Sequence, residues 1–185
     1  MKQHILPALR LTLACIVLFM VIYPLAIWAV AQAAPNKGEG ETITLKNKTV
    51  GYALEGQNFT QDKYFNGRPS AAGYNAAGSS GSNKGPSNPD YLKQVQASID
   101  SFLVHNPSVK KEDIPSDLVT ASGSGLDPDI TPQGALIQVA RIAKARNIQP
   151  ATLTALINNH IEKSILGPKE KINVLKLNVA LDQLK

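Results

Sequence analysis

Leu11-Thr12-Leu13-Ala14-Cys15-Ile16-Val17-Leu18-Phe19-Met20-Val21-Ile22-Tyr23-Pro24-Leu25-Ala26-Ile27-Trp28-Ala29-Val30 belongs to a stretch, Leu11–Asn36, without a single charged residue. A helix rises about 1.5 Å per residue, so roughly 20 apolar residues cross the hydrocarbon core of a bilayer. The run has that length and occurs once, near the amino end. The expected fold is therefore one transmembrane helix followed by one domain. The divisions read as a short cytoplasmic amino terminus at 1–10, a transmembrane helix at 11–33, a linker at 34–41 and a soluble α+β domain at 42–185.

The run has two readings. Lys2 and Arg10 make a basic leader, and Ala29-Val30-Ala31 and Ala31-Gln32-Ala33 resemble signal-peptide cleavage sites. Against cleavage, a signal core is usually about 7–15 residues and this one is longer. Pro24 is tolerated in a membrane helix where neighbouring helices satisfy the carbonyl it frees. Tyr23 and Trp28 suit the far interface, where amphipathic rings settle. The leading basic residues favour an inside amino terminus with the domain outside, although Lys37, Lys46 and Lys48 follow on the other side.

The rest of the chain is long enough for one domain with its own core. The net charge is +5, and the charges are interspersed: Lys110-Lys111 precedes Glu112-Asp113, and Lys169 and Lys171 flank Glu170. No basic stripe with interleaved aromatics appears, which argues against nucleic acid as a partner. The one cysteine, Cys15, lies in the apolar run, so the domain has neither a disulfide nor a thiolate ligand. His4, His105 and His160 lack ligand spacing, and no metal site is expected.

Beyond the linker, Thr42–Leu45 and Val50–Leu54 read as a hairpin of short strands. Residues 64–90 form a long loop, which in a compact domain is usually functional or disordered. Its aromatic and arginine beginning, Tyr64-Phe65-Asn66-Gly67-Arg68, is unlike a plain flexible linker. Asn88-Pro89 opens a helix by an N-cap and a first-turn proline, with Leu92, Val95, Ile99, Phe102 and Leu103 as its stripe. Asn106-Pro107 ends it, and Asp117–Ala121 reads as a strand. Thr131-Pro132 opens a second helix, with Leu136, Val139, Ala140 and Ala143 inward. Pro150 opens a third, and Asn173 caps a last one, unless Val174-Leu175 is a strand.

Glycine loops invite a phosphate reading, because exposed N–H groups cradle phosphates. Neither loop fits: Asn83 stands where a Walker loop needs glycine, and Pro128 stands where the dinucleotide pattern needs its third. No serine sits in a Gly-x-Ser-x-Gly elbow. Asp127 and Asp129 look like turn residues leading to the Thr131 cap. Gln138, Arg141, Lys144 and Arg146 read either as a polar contact face or as a solvated one. No catalytic residue emerges.

Five ordered blocks together carry a resemblance: Tyr64–Ala71, Ser80–Pro89, Pro115–Pro128, Gln138–Arg146 and Asn173–Asp182. With the anchor, they make the chain similar to the C-subunit family of the Kdp potassium-transporting P-type ATPases over essentially its whole length. The resemblance implies a retained helix in the bacterial plasma membrane, single-pass, with the amino terminus in the cytoplasm and the domain outside. It also implies an accessory, non-catalytic subunit that stabilises the assembly and acts as a catalytic chaperone raising the ATP affinity of the ATPase subunit. The implied partners are a channel-like potassium-binding subunit, the P-type ATPase subunit, a small single-helix subunit and the lipid bilayer. No cofactor is held tightly; ATP and potassium are handled by the complex.

Gln138 is the residue that the resemblance offers as a nucleotide contact. An outside domain would be separated from cytoplasmic ATP by the membrane, so an allosteric or structural role is preferred to direct contact. Candidate subunit-interface residues are Tyr64, Phe65, Arg68, Ser70, Asn83, Pro86, Asn88 and Asp127, with Phe19, Tyr23, Pro24 and Trp28 on the membrane helix. The alternative is a free membrane-anchored surface module binding peptide or polysaccharide through the 64–90 loop.

Overall fold

The computed structural model describes residues 2–163 and 170–184; Lys169, one of the interspersed charges, lies outside them. The chain separates into two compact units, residues 1–41 and 42–185.

In the first unit, α1 (Lys2–Ile16), a π-helical segment (Val17–Ile22) and α2 (Tyr23–Gln32) follow one another without a break. Gln3–Gln32 is long and apolar enough to cross a membrane, with an 18-residue stretch reaching mean hydropathy 2.6. Helix thus begins at Lys2, ahead of the uncharged run. The π segment lies immediately before Pro24, whose missing N–H and bulky ring disturb the preceding turn.

The second unit is α+β. Strands β1 (Thr42–Leu45) and β2 (Lys48–Tyr52) pair antiparallel with a bulge between Ile43 and Thr44. Lys46 and Asn47 turn between them, both at positive φ (51° and 62°), which is the tight-turn geometry matching strand twist. Helix α3 (Pro89–His105) begins as its sequence requires: the Asn88 carboxamide accepts from the N–H groups of Asp90 and Tyr91 at 3.0 and 3.1 Å.

A three-stranded antiparallel sheet of β3 (Asp129–Ile130), β4 (Glu162–Lys163) and β5 (Glu170–Asn173) has β5 in the middle. Ile130 pairs with Ile172, and Glu162 with Lys171. Helices α4 (Pro132–Leu136), α5 (Val139–Arg146), α6 (Pro150–Asn159) and α7 (Val174–Gln183) complete the body. Thr131 caps α4 through Gly134 N–H, and Asn173 caps α7 through Lys176 N–H, both at 3.0 Å. Asn147 ends α5 in the left-handed region, φ 55°.

The core is assembled where α4 to α7 meet the sheet. Phe65, Ile142, Leu153, Ile157, Leu177 and Leu181 are wholly buried, each contributing about 1.5–3 kcal/mol by its removal from water.

Three sequence expectations fail. The 117–121 segment is a 3₁₀ turn, Ser116–Leu118, because Thr120 returns both its N–H and its hydroxyl to Ser116 O and Asp117 caps the distant Thr131 N–H. The Thr131 helix is broken in two at Ile137-Gln138. Ala140 is exposed, while Gln138 and Arg141 are buried, so of the polar face expected there Lys144 stays exposed and Arg146 half-buried.

Candidate functional site

The segment from Phe59 to Tyr74 has no regular structure beyond turns, so its backbone groups need partners from elsewhere. Buried side chains on two helices supply them. Asn178 on α7 accepts from Phe65 N–H and donates to Phe65 O, both at 2.9 Å, pairing with the loop as a strand would. Gln138 does the same for Asn66: its Oε1 accepts from Asn66 N–H at 2.8 Å, and its Nε2 donates to Asn66 O at 3.2 Å and Gly134 O at 2.9 Å. The Phe65 ring fills the core between these two clasps.

Arg141, one turn beyond Gln138, is the hub. Its guanidinium donates to the carbonyls of Asp62 and Tyr64, to Asn106 Oδ1, to Asn66 Oδ1 at 2.6 Å and to Gln138 Oε1 at 2.7 Å. Burial pushes its pKa below the ordinary arginine value, partly offset by the Asp62 carboxylate. The fork geometry of guanidinium lets one side chain tie the 62–66 loop, the residue after α3 and the Gln138 break together.

A second knot lies at the other end of the loop. Arg68 donates to Asp127 Oδ2 at 2.9 Å, while Asp127 Oδ1 accepts from Asp129 N–H at 3.0 Å. Ser70 donates to Gly125 O at 2.6 Å and accepts from Ala72 and Tyr74 N–H. Tyr74 donates to Arg68 O at 2.7 Å; burial raises its pKa. The two glycine loops pack against each other here. A Cβ on Gly81 would meet Gly123 O at 2.8 Å, and one on Gly125 (φ +68°) would meet Ser80 O at 2.7 Å. These glycines serve close backbone approach and a left-handed turn.

Tyr64 lies between the two knots and α7. Its hydroxyl donates to Asp182 Oδ2 at 3.0 Å, and the Arg146 guanidinium stacks 4.8 Å from its ring centre while pairing with Asp182 at 2.6 Å. Partial burial and the Asp182 carboxylate raise the Tyr64 pKa, with Arg146 opposing. Asn83 and Pro86 are exposed, and Asn88 is spent on capping α3. Phe19, Tyr23, Pro24 and Trp28 are exposed on the first unit.

Between α3 and this loop lies an open cavity of about 480 Å³ bordered by Phe59, Asp62, Asn66, Ser101, Phe102 and His105. His105 Nδ1 and Asp62 Oδ1 face each other at 2.7 Å. A second cavity of about 470 Å³, along the first half of the same face of α3, borders Ser70, Gly81, Lys84, Tyr91, Val95 and Val119. No group of three metal-ligating side chains occurs among the described residues.

Asn106 and Asn178 escaped the sequence reading as clasps, and Arg141 was read only as part of a contact or solvated face. A signal existed for two of them: Arg141 precedes the core Ile142, and Asn178 follows Leu177 on the apolar side of α7.

The family model described as K+-transporting ATPase, c chain (KdpC) matches residues 5–183. A Flavobacterium psychrophilum protein named potassium-transporting ATPase KdpC subunit is 58% identical over 183 residues, 99% of this chain and 100% of its own length. Proteins of the same name from Bacteroides fragilis and Bacillus cereus are 51% and 46% identical; each alignment covers 99% of this chain, and 98% and 97% of the relative.

Proposed function

This chain belongs to the KdpC family, and from that membership we propose that it is an accessory, non-catalytic subunit of an ATP-driven potassium uptake complex. It is anchored by its single apolar helix in the bacterial plasma membrane, amino terminus inside and domain outside. It holds a channel-like potassium-binding subunit and a P-type ATPase subunit together, with room for a small single-helix subunit, and raises the ATP affinity of the ATPase subunit by biasing a conformational equilibrium. ATP and potassium are bound by the other subunits. The full-length family match leaves a free peptide- or polysaccharide-binding module without support.

One observation carries the choice of allostery over nucleotide contact. Gln138 is wholly buried, and its carboxamide is engaged with Asn66, Gly134 and Arg141. To reach a phosphate it would have to abandon the loop, leaving Asn66 N–H and O unpaired in the interior. Its role in this reading is to position the Tyr64–Ser70 segment, whose residues other than the buried Phe65 form the contact surface toward the other subunits.

The test uses the assembled complex carrying Gln138→Glu and Gln138→Ala. ATP half-saturation of the potassium-stimulated ATPase should move only in step with the unfolding midpoint of this subunit. A shifted ATP half-saturation with unchanged unfolding would restore direct contact. Sidedness is checked by protease in intact spheroplasts, where cleavage of the domain is the expected result.

A further inference from the structure

In the second unit a positive charge drawn in from solvent faces a carboxylate, with one exception. Arg68 faces Asp127 at 2.9 Å, Arg146 faces Asp182 at 2.6 Å and Lys171 faces Asp129 at 2.6 Å. Lys176 faces Glu162 at 3.4 Å, and Arg141 stands 4.0 Å from Asp62. Lys84 is half-buried too, yet among the described residues its ammonium has neither an acidic partner nor a hydrogen bond. A partly desolvated cation without a counter-charge is unfavourable.

Lys84 borders the cavity of about 470 Å³ along the first half of α3, and no other charged side chain among the described residues does so. The side chains of Ser82, Tyr91, Gln94 and Ser98 on the same wall also lack partners among the described residues. Elsewhere in the domain such groups are consumed: Gln138, Asn178 and Tyr74 all bond the backbone. The rest of the wall is hydrocarbon, supplied by Val95, Ala121 and the buried Val119.

One ammonium, with no second cation and no guanidinium fork, matches a single negative charge better than the doubly charged group of a phosphate monoester. Hydroxyl and carboxamide donors complete the shell of an oxygen anion, and the valines receive the carbon stem behind it. We propose that this cavity binds a carboxylate carried on a short aliphatic stem, with Lys84 as its counter-charge. Two sources present that chemistry: a free monocarboxylic acid, or an Asp or Glu side chain reaching in from a neighbouring polypeptide. The site is a property of this chain and goes beyond the subunit reading; assembly decides only which source fills it.

The test uses the full chain carrying ¹³C at the Cε of lysine, in phosphatidylcholine nanodiscs and in the purified complex. Butyrate is the probe, butyramide its uncharged counterpart, and Lys84→Gln identifies the Lys84 signal. In the chain alone butyrate should move that signal saturably, at about tenfold lower concentration than it moves the exposed Lys93 and Lys110. Butyramide should leave it in place. Ser98→Leu, which fills the cavity beside an intact Lys84, should raise the concentration needed to that of Lys93. In the complex, a Lys84 signal already displaced and insensitive to butyrate assigns the site to a neighbouring side chain; one that still responds assigns it to a free acid.

A Lys84 signal in the chain alone that responds to butyrate no better than Lys93 and Lys110, or equally to butyramide, overturns the proposal and leaves the subunit reading standing. So does a response that Ser98→Leu leaves unchanged, since the charge would then attract the anion without the cavity.

Discussion

Helices α3 and α7 start alike and end up in different physical situations. Each has an asparagine N-cap and an apolar stripe at helical spacing. Yet α7 buries Val174, Leu175, Leu177, Asn178 and Leu181, whereas α3 buries no residue fully and only half-buries Phe102 against the core, and its Leu92 and Val104 are 53% and 76% exposed. Two cavities lie end to end along one face of α3, meeting at Ser98; α7 is pressed against the core and carries Asn178, one of the clasps on the Phe65 loop. Capping decides that a helix forms. What the other elements leave uncovered decides whether it becomes core.

The sharpest way to test this contrast is to cut the link between the two regions. Arg141→Ala removes the guanidinium that holds Asn106, at the end of α3, to the loop clasped by α7. Leaving five acceptors without their donor should destabilise the domain by about 3–5 kcal/mol, read as a lower urea midpoint at unchanged slope. Leu177→Ala opens a cavity in the packed region and should cost about 2–5 kcal/mol by the same measurement. Asn178→Ala leaves Phe65 N–H and O unpaired and should cost about 1–3 kcal/mol.

On the α3 side the expected effects shrink. Asn88→Ala removes the cap from two N–H groups and should cost about 1 kcal/mol, with loss of helical signal confined to one segment. Leu92→Ala should change stability by less than about 0.5 kcal/mol. A large loss there would show that α3 is packed in solution and would erase the contrast. In the assembled complex Leu92 should become protected from solvent labelling if α3 is covered.

Alkali distinguishes the regions again, with no effect at neutral pH. Tyr64 and Tyr74 titrate above 10.0, and Lys171, bonded to Asp129 at 2.6 Å, above 10.5. The folded domain keeps protons that the unfolded chain releases, so this stabilisation is complete below those ordinary values and is lost as pH rises through the folded ones. Melting temperatures should fall from about pH 10 upward, and Tyr74→Phe should flatten that fall.

Local chemistry was legible wherever neighbours in sequence decide the outcome. Asn88-Pro89, Thr131-Pro132 and Asn173 mark helix starts because their caps act within three residues. Asp127 was readable as a turn former from its place beside Pro128, and it does bond Asp129 N–H; its pairing with Arg68 was not readable. The strand expected at 117–121 failed because Asp117 bonds Thr131, a contact that alternation of residue types does not encode. Gln138 and Arg141 were misread as a surface because polar side chains usually are one. Here a loop without regular structure needed them inside.

The sequence alone determined the apolar helix, the helix caps and the turn residues. These rest on hydrophobicity summed over a run and on hydrogen bonds between near neighbours. Tertiary structure decided which amphipathic face is buried, which polar groups are consumed as clasps, and that the glycine loops pack on each other. Those outcomes depend on which distant backbone groups lack a partner, and that is known only once the chain has been brought together.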